Sequence, residues 1–264
     1  MKSNLIANFD PVKITFLGTG TSQGVPVIAC KCSTCQSNDP RDKRLRSSIL
    51  VEHQDTVVII DTGPDFRQQM LSARVDRLDA VIFTHEHRDH IAGLDDIRAY
   101  NYLQDGPMDV YGEDRVLRAL QHTFPYIFAE RKYPGIPQVN FHHLQNEPFS
   151  VNGLEIIPIR AHHYRLPVFG YRVGDFTYIT DANFIAPEEL EKIRGTRYFV
   201  ICALRKRKHI SHYSLSEALE VIKLVNPEQA YLTHVSHMMG PLAETELDLP
   251  DNVRFAWDGL GLEL

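Results

Sequence analysis

Thr84-His85-Glu86-His87-Arg88-Asp89-His90 constrains this chain more than any other stretch. It follows the apolar run Ala80-Val81-Ile82-Phe83, which reads as a buried strand, and precedes Ile91-Ala92-Gly93-Leu94, which reads as the entry to a helix. Three imidazoles and a carboxylate packed so closely are hard to explain as packing. His85 and His87 stand at i and i+2, so an extended segment aims both to the same side. Asp89 and His90 fall on the turn into the helix, where the backbone can point them at a second, nearby centre. Imidazole and carboxylate are borderline ligands suited to Zn, Mn or Fe. The stretch therefore reads as a metal cluster rather than a polar surface turn.

The setting is that of a soluble globular protein, with 23% charged and 43% hydrophobic residues in 264. No apolar run approaches the length needed to span a bilayer. Met1 to Asp10 has no continuous apolar core and no small-residue cleavage site, so the expectation is a cytoplasmic protein with no membrane partner. A net charge of −6 argues against a general nucleic-acid binder. Four cysteines include three in Cys30-Lys31-Cys32-Ser33-Thr34-Cys35, which in a cytosolic chain suggests metal rather than disulfide. That loop, at about 27–46, has almost no apolar residues, and a structural zinc held by three thiolates and one further ligand would order it. The fourth ligand is missing locally. Cys202 is a poor candidate, because Tyr198-Phe199-Val200-Ile201-Cys202 reads as a buried strand where a free cysteine packs as a small hydrophobe.

Val12 to Leu17 reads as a first strand ending in Gly18-Thr19-Gly20-Thr21. The glycine spacing is wrong by one for a dinucleotide fingerprint, and no amphipathic helix follows. Strands are expected at 47–52, 56–60 and 79–83, with helices at 66–73, 94–103 and 114–123. Residues 124–148 read as a long, partly irregular connection, and its Arg131-Lys132-Tyr133 as a solvated stretch rather than a groove lining. The second half starts over with strands at 154–160, 168–173 and 176–180, then a helix at 187–193 with Pro187 in its first turn. A strand at 198–203, a helix at 215–225 and a strand at 229–233 complete it. Two mixed sheets packed face to face with helices outside fit that order. Three further polar sites follow strand ends: His162-His163 after Arg160, Asp181 after Thr180, and His234 after Thr233. Such ends are where sites form in layered folds.

The pattern H-x-H-x-D-H, then His, Asp and His, resembles the metallo-β-lactamase superfamily of binuclear hydrolases, over essentially the whole chain. The resemblance implies an α/β (α+β) fold: one domain over 1–264, a four-layer αβ/βα sandwich. It implies that His85, His87 and His163 hold one divalent ion, that Asp89, His90 and His234 hold a second, and that Asp181 bridges the two, the ions being Zn or Mn. His163 is preferred over His162 on its spacing from the Asn152-Gly153 turn. Asp61 matches the aspartate that orients ligand imidazoles. The Gly18–Pro26 stretch, the three loop cysteines and Thr233-His234-Val235-Ser236-His237 resemble, more narrowly, the PhnP-type phosphodiesterases of carbon–phosphorus lyase operons. There a structural zinc is held by the loop cysteines and a histidine matching His237. His212 matches the candidate general acid, although it also reads as a helix-start residue before Ser214.

These matches imply a phosphodiesterase acting on a small cyclic or nucleotide-like substrate through a metal-bridging hydroxide. Two divalent ions, offset by Asp89, Asp181 and the hydroxide, leave about one positive charge to attract an anionic diester. His212 would protonate or hydrogen-bond the leaving oxygen or a non-bridging phosphate oxygen. Arg205-Lys206-Arg207-Lys208 reads as a solvated basic run rather than a phosphate clamp. No long nucleic acid is expected as a partner, and the sequence leaves a homodimer open. The alternatives are an RNA 3′-processing endonuclease, a thioesterase or lactonase of the same fold, and a non-catalytic metal-stabilised binding protein. Asp181 where β-lactamases carry cysteine, and His87 where flavo-diiron proteins carry glutamate, count against those two classes.

Overall fold

The computed structural model describes residues 11–130 and 133–264. Arg131 and Lys132 of the basic-aromatic stretch, and the first ten residues, lie outside them. Seven strands form the first sheet: β1 (Lys13–Gly18), β2 (Ser48–His53), β3 (Thr56–Ile60), β4 (Ala80–Ile82), β5 (Met108–Gly112), β6 (Val139–His143) and the last strand, β15 (Gly261–Glu263). The second sheet contains β7 (Phe149–Val151), β8 (Leu154–His163), β9 (Leu166–Val173), β10 (Phe176–Ile179), β11 (Phe184–Ile185), β12 (Tyr198–Cys202), β13 (Gln229–Thr233) and β14 (Val253–Phe255). The orders are β15-β1-β2-β3-β4-β5-β6 and β11-β8-β9-β10-β12-β13-β14, with β7 on β8. Each sheet begins with antiparallel hairpins and continues in parallel, through β3-β4-β5-β6 and through β10-β12-β13-β14.

Strand alternation builds the layers. In β3, Val58 and Ile60 face the core between the sheets, while Ile59 faces the helices over the first sheet. In β12, Val200 faces that central core, while Phe199 and Ile201 face the helices over the second. Three apolar cores thus separate four layers, which is the αβ/βα sandwich the resemblance implies. Each fully buried Ile, Val or Phe contributes roughly 1.5–3 kcal/mol. The helix Asp114–Thr123 buries Val116, Leu117 and Leu120 along one stripe. The helix Leu215–Val225 starts in a capping box between Ser214 and Glu217 and ends at Asn226 in the left-handed region.

Several expectations need correction. The stretch 124–148 contains a short 3-10 turn, Pro125–Phe128, and the edge strand β6. β5, β7, β11, β14 and β15 were not anticipated. β8 does not stop at Arg160 but runs through His163. The expected helix 94–103 is a 3-10 turn, Leu94–Ile97, followed by a helix, Arg98–Gln104. Gly18 and Gly20 serve packing: a Cβ on Gly18 would stand 1.9 Å from the Arg46 carbonyl oxygen, and one on Gly20 2.9 Å from that of Arg44. Those backbones touch where no side chain fits.

Candidate metal centre

The parallel strands of both sheets deliver polar residues to one edge of the sandwich. Asp61 follows β3, His85 follows β4, Asp181 follows β10 and His234 follows β13. Asp61, Asp181 and His234 all adopt left-handed backbone, with φ of 67°, 46° and 54°. A left-handed residue at a strand end turns the chain sharply and costs of order 1–3 kcal/mol for a side chain other than glycine. The kinks re-aim those side chains across the edge.

Around His85 the chain is fixed by Asp61. Its Oδ1 accepts from the Thr84 backbone N–H at 2.9 Å, and its Oδ2 accepts from the Thr84 hydroxyl at 2.8 Å and lies 2.7 Å from His90 Nδ1. His87 ends the extended part and caps the one-turn helix Arg88–Ile91, which carries Asp89 and His90. The helix sits against the Thr62-Gly63 backbone, with Thr62 N–H donating to the His90 carbonyl at 2.8 Å and Gly93 N–H to that of Thr62 at 2.8 Å. A Cβ on Gly63 would fall 2.2 Å from the Asp89 carbonyl oxygen, so only glycine allows this approach.

The second sheet supplies the rest. Adjacent residues on a strand face opposite sides, so β8 turns His163 into the cluster and His162 onto the Phe184 ring, 5.9 Å away. His163 Nδ1 lies 2.7 Å from the Ser211 carbonyl oxygen, which makes it the donor there and leaves Nε2 free to ligate. His163, Asp181 and His212 form one group of possible ligand atoms within 4.8 Å of one another. Asp89, His90, Asp181 and His234 form a second group, and His85, His87 and Asp181 a third. Asp181 belongs to all three. Its Oδ2 stands 3.6 Å from His85 Nε2 and 3.4 Å from His90 Nε2, and its Oδ1 2.7 Å from His234 Nδ1.

These residues fit divalent ions. Ligands about 2.1 Å from a tetrahedral metal stand about 3.4 Å from one another, as the Asp181 Oδ2 separations from His85 and His90 do, whereas Asp181 Oδ1 and His234 Nδ1 stand at hydrogen-bond distance. His85 Nε2 and His90 Nε2 are buried without a hydrogen-bond partner, a costly state that a metal relieves. The electrostatics agree. Burial works against charging His90, yet Asp89, Asp181 and Asp61 outweigh it and push that imidazole well above its usual range. Burial also opposes ionisation of Asp181, but His234 and His90 outweigh it and hold the carboxyl well below the ordinary value. His85, buried beside His90, is pulled well down. The carboxylates thus favour positive charge beside His90, while His85 stays neutral and able to ligate.

A second constellation closes the cysteine loop. Cys30 Sγ and Cys32 Sγ lie 3.3 and 3.4 Å from His237 Nδ1, and with Cys35 these ligand atoms form one compact group. Zinc with ordinary Zn–S and Zn–N lengths requires an S···N separation of about 3.5 Å. The Cys35 N–H donated to Cys32, helped by His237, brings that thiol down to about 6, while burial pushes Cys35 up to about 11. Cys202 is fully buried, its Sγ against the Ala182 backbone.

His212 is buried, 4.4 Å from the His163 ring and 4.9 Å from that of His234, with Nδ1 unpartnered. Burial pulls it down to about 3, so it is a neutral imidazole. The basic run does not reach toward the cluster as a unit: Arg205 folds back on the carbonyls of Arg207 and Lys208, and Lys208 pairs with Glu217. Sequence reasoning missed the groups behind the imidazoles: Ser47 Oγ 3.2 Å from His234 Nδ1, Thr84 Oγ1 3.0 Å from His85 Nδ1, and the Ser211 carbonyl. A lone hydroxyl or carbonyl carries no sequence signal, although Thr84 at least adjoins the motif.

Comparison with known proteins places this geometry. Residues 56–235 match the model of the beta-lactamase superfamily domain. A crystal structure described as a new diphosphatase from the PhnP family superposes with a TM-score of 0.90 at 37% identity, covering 96% of this chain and 98% of that one. An octanoyltransferase of Porphyromonas gingivalis is 39% identical over 253 residues, which are 94% of this chain and 51% of that protein. A ribonuclease Z of Limosilactobacillus reuteri is 24% identical over 192 residues, 69% of this chain and 53% of the relative. The chain thus spans about half the length of these curated relatives. Among the described residues, no helix is long and apolar enough to cross a membrane.

Proposed function

The chain belongs to the beta-lactamase superfamily, and from that premise we propose that it is a binuclear metal-dependent hydrolase that cleaves small phosphodiesters. The carrying observation is Asp181, whose one carboxylate reaches both the His85 and the His90 imidazole nitrogens. A carboxylate shared in this way suits two ions rather than one. His85, His87 and His163 would hold the first, Asp89, His90 and His234 the second, and Cys30, Cys32, Cys35 and His237 a structural zinc. Two such ions, Zn or Mn, would supply Lewis acidity toward phosphoryl oxygens and a water acidic enough to deprotonate near neutral pH.

The protein's own groups do the rest. Asp89 and Asp181 remove only part of the charge of two divalent ions, so the edge attracts an anion. Asp61 holds His90 through Nδ1 and thereby presents Nε2. His212 is neutral before substrate arrives and offers a ring N–H to a phosphoryl or leaving oxygen. An anionic ester beside it raises its proton affinity, so His212 can take up a solvent proton as the substrate binds and pass it to the leaving oxygen. Support for phosphorus chemistry comes from the 37% identical diphosphatase and, more distantly, from ribonuclease Z. Thiol-based acyl transfer has little support here, since three of the four cysteines sit in the loop cluster and Cys202 is sealed in the core.

The test is hydrolysis of bis(p-nitrophenyl) phosphate, cyclic nucleotides and a diphosphate by protein stripped of metal and reloaded with Zn or Mn. Turnover that disappears in His87→Ala and Asp181→Ala, with folding intact, is the expected result. Fully loaded protein that cleaves none of these substrates would remove the reading.

A further inference from the structure

His163 ends β8, Asp181 follows β10 and His212 lies on the connection after β12, and one residue beside Asp181 is hydrogen-bonded to the other two segments. Asn183, two residues beyond Asp181, accepts from the Tyr164 backbone N–H through Oδ1 at 2.7 Å. Its Nδ2 donates to the Ile210 carbonyl at 3.1 Å. Its own N–H donates to the His162 carbonyl at 2.8 Å. Tyr164 directly follows His163, and Ile210 stands two residues before His212. We propose that Asn183 is a positioning residue that sets where His212 stands relative to the metal ligands.

The geometry explains why a carboxamide is used. Tyr164 adopts left-handed backbone, φ 59°, at the turn between β8 and β9, which points its N–H out of the hairpin. The 205–212 loop has few other ties to the second sheet. Arg205 wraps the Arg207 and Lys208 carbonyls, Ile210 is exposed, and the Ser211 carbonyl gives one further tie, to His163 Nδ1 at the end of β8. Tyr213 N–H reaches the Ala182 carbonyl at 2.7 Å, so the loop is anchored just past His212, and Asn183 anchors it just before. Only Asn offers an acceptor to one loop and a donor to the other at this reach, because aspartate lacks the donor and serine is too short to bridge both. Held at both flanks, His212 has its ring fixed over His163 and His234. Without the Ile210 tie, the segment before it is held only through the Ser211 carbonyl and can shift against the sheet.

This inference rests on the proposed hydrolase in its kinetic part, but not in its structural part. The kinetic experiment is a cycle of Asn183→Ala, His212→Ala and the double variant, each loaded with the same metal. Asn183→Ala is expected to lower kcat about tenfold with little change in KM, and to lower it less than about twofold in the His212→Ala background. Equal losses in both backgrounds would overturn the proposal, because Asn183 would then not act through His212. The structural experiment is amide hydrogen exchange on metal-free protein. Asn183→Asp keeps the acceptor for Tyr164 N–H and loses the donor, so protection is expected to fall in the segment 209–213 and persist at Tyr164. Asn183→Ala is expected to lose both. Exchange unchanged in 209–213 in both variants overturns the positioning role even if the wild-type chain hydrolyses no phosphodiester. An inactive wild-type chain with the expected exchange pattern counts against the hydrolase instead.

Discussion

Asp61→Asn tests the logic of the metal edge with a change of one atom. The wild-type carboxylate accepts from the Thr84 N–H, from the Thr84 hydroxyl and, through Oδ2, from His90 Nδ1. An asparagine can place its oxygen opposite the Thr84 N–H, but its NH2 then faces His90 Nδ1 and the hydroxyl. The hydroxyl can rotate to accept. The imidazole can comply only by moving its proton to Nε2, the nitrogen that faces the cluster and has no protein partner. The opposite amide orientation keeps an oxygen for His90 Nδ1 and the hydroxyl but sets NH2 against the buried Thr84 N–H, leaving two donors unpaired. A near-isosteric substitution thus either removes the ligating tautomer of His90 or strands the buried Thr84 N–H that fixes the chain at His85. Loss of an outer partner of this kind costs 10–100-fold in metal affinity, or about 1.4–2.8 kcal/mol. The assay is competition between stripped protein and a chromophoric zinc chelator, with circular dichroism and thermal melting to establish folding. The cysteine-loop site serves as an internal control, since it shares no ligand with the edge. Folded Asp61→Asn protein that binds edge zinc with wild-type affinity would refute the argument.

Cys32→Ser should release one zinc per chain by elemental analysis and lower the melting temperature, because the 27–46 loop has little apolar surface to hold it. Full zinc content in the variant would remove the structural site. Gly63→Ala pushes a Cβ to 2.2 Å from the Asp89 carbonyl oxygen. It should cost on the order of 1–3 kcal/mol in urea unfolding and weaken metal binding at the Asp89–His90–His234 centre more than at the cysteine loop. Wild-type stability and affinity together would show that the helix can shift without consequence. In metal-free protein, His234→Gly should be more stable than His234→Ala by about 1 kcal/mol, since position 234 has φ of 54°. Urea titrations with a chelator present decide it, and an alanine variant as stable as the glycine variant contradicts the strain argument.

Much of the fold was legible because alternation survives burial. Strands near 13–18, 48–60, 154–173 and 229–233, and the helices at 66–73, 187–193 and 215–225, follow from period-two and period-3.6 patterns with their caps. The missed strands other than β5 have physical reasons. β7, β11, β14 and β15 are two or three residues long, too short for a period to show. β6 is an edge strand with two histidines and no fully buried residue, so its apolar signature is weak. The glycines at 18, 20 and 63 each mark a backbone contact that only the folded chain reveals.

The site was legible in its local part and illegible in its relations. Thr84–His90 announces a metal cluster because all its ligands lie on one strand exit. His163, Asp181 and His234 do not, since each is a single polar residue after an apolar strand and only the meeting of two sheets brings them together. Choosing His163 over His162 shows the limit. With the strand ending at Arg160 the residues would lie in a turn, where pleat cannot decide between them; with β8 running through His163, alternation sends one ring to the cluster and the other to Phe184. The left-handed residues carry the same lesson in energy. A glycine or asparagine at 61, 181 or 234 would have advertised a turn, and the chain uses aspartate and histidine there at a conformational cost of order 1–3 kcal/mol each. The same conformation closes ordinary turns and helix ends elsewhere, at Gln54, Arg74 and Asp105, so the torsion alone does not mark a site. What singles out positions 61, 181 and 234 is the convergence of their carboxylates and imidazole across the sheet edge, with the left-handed turn as the device that aims each side chain there.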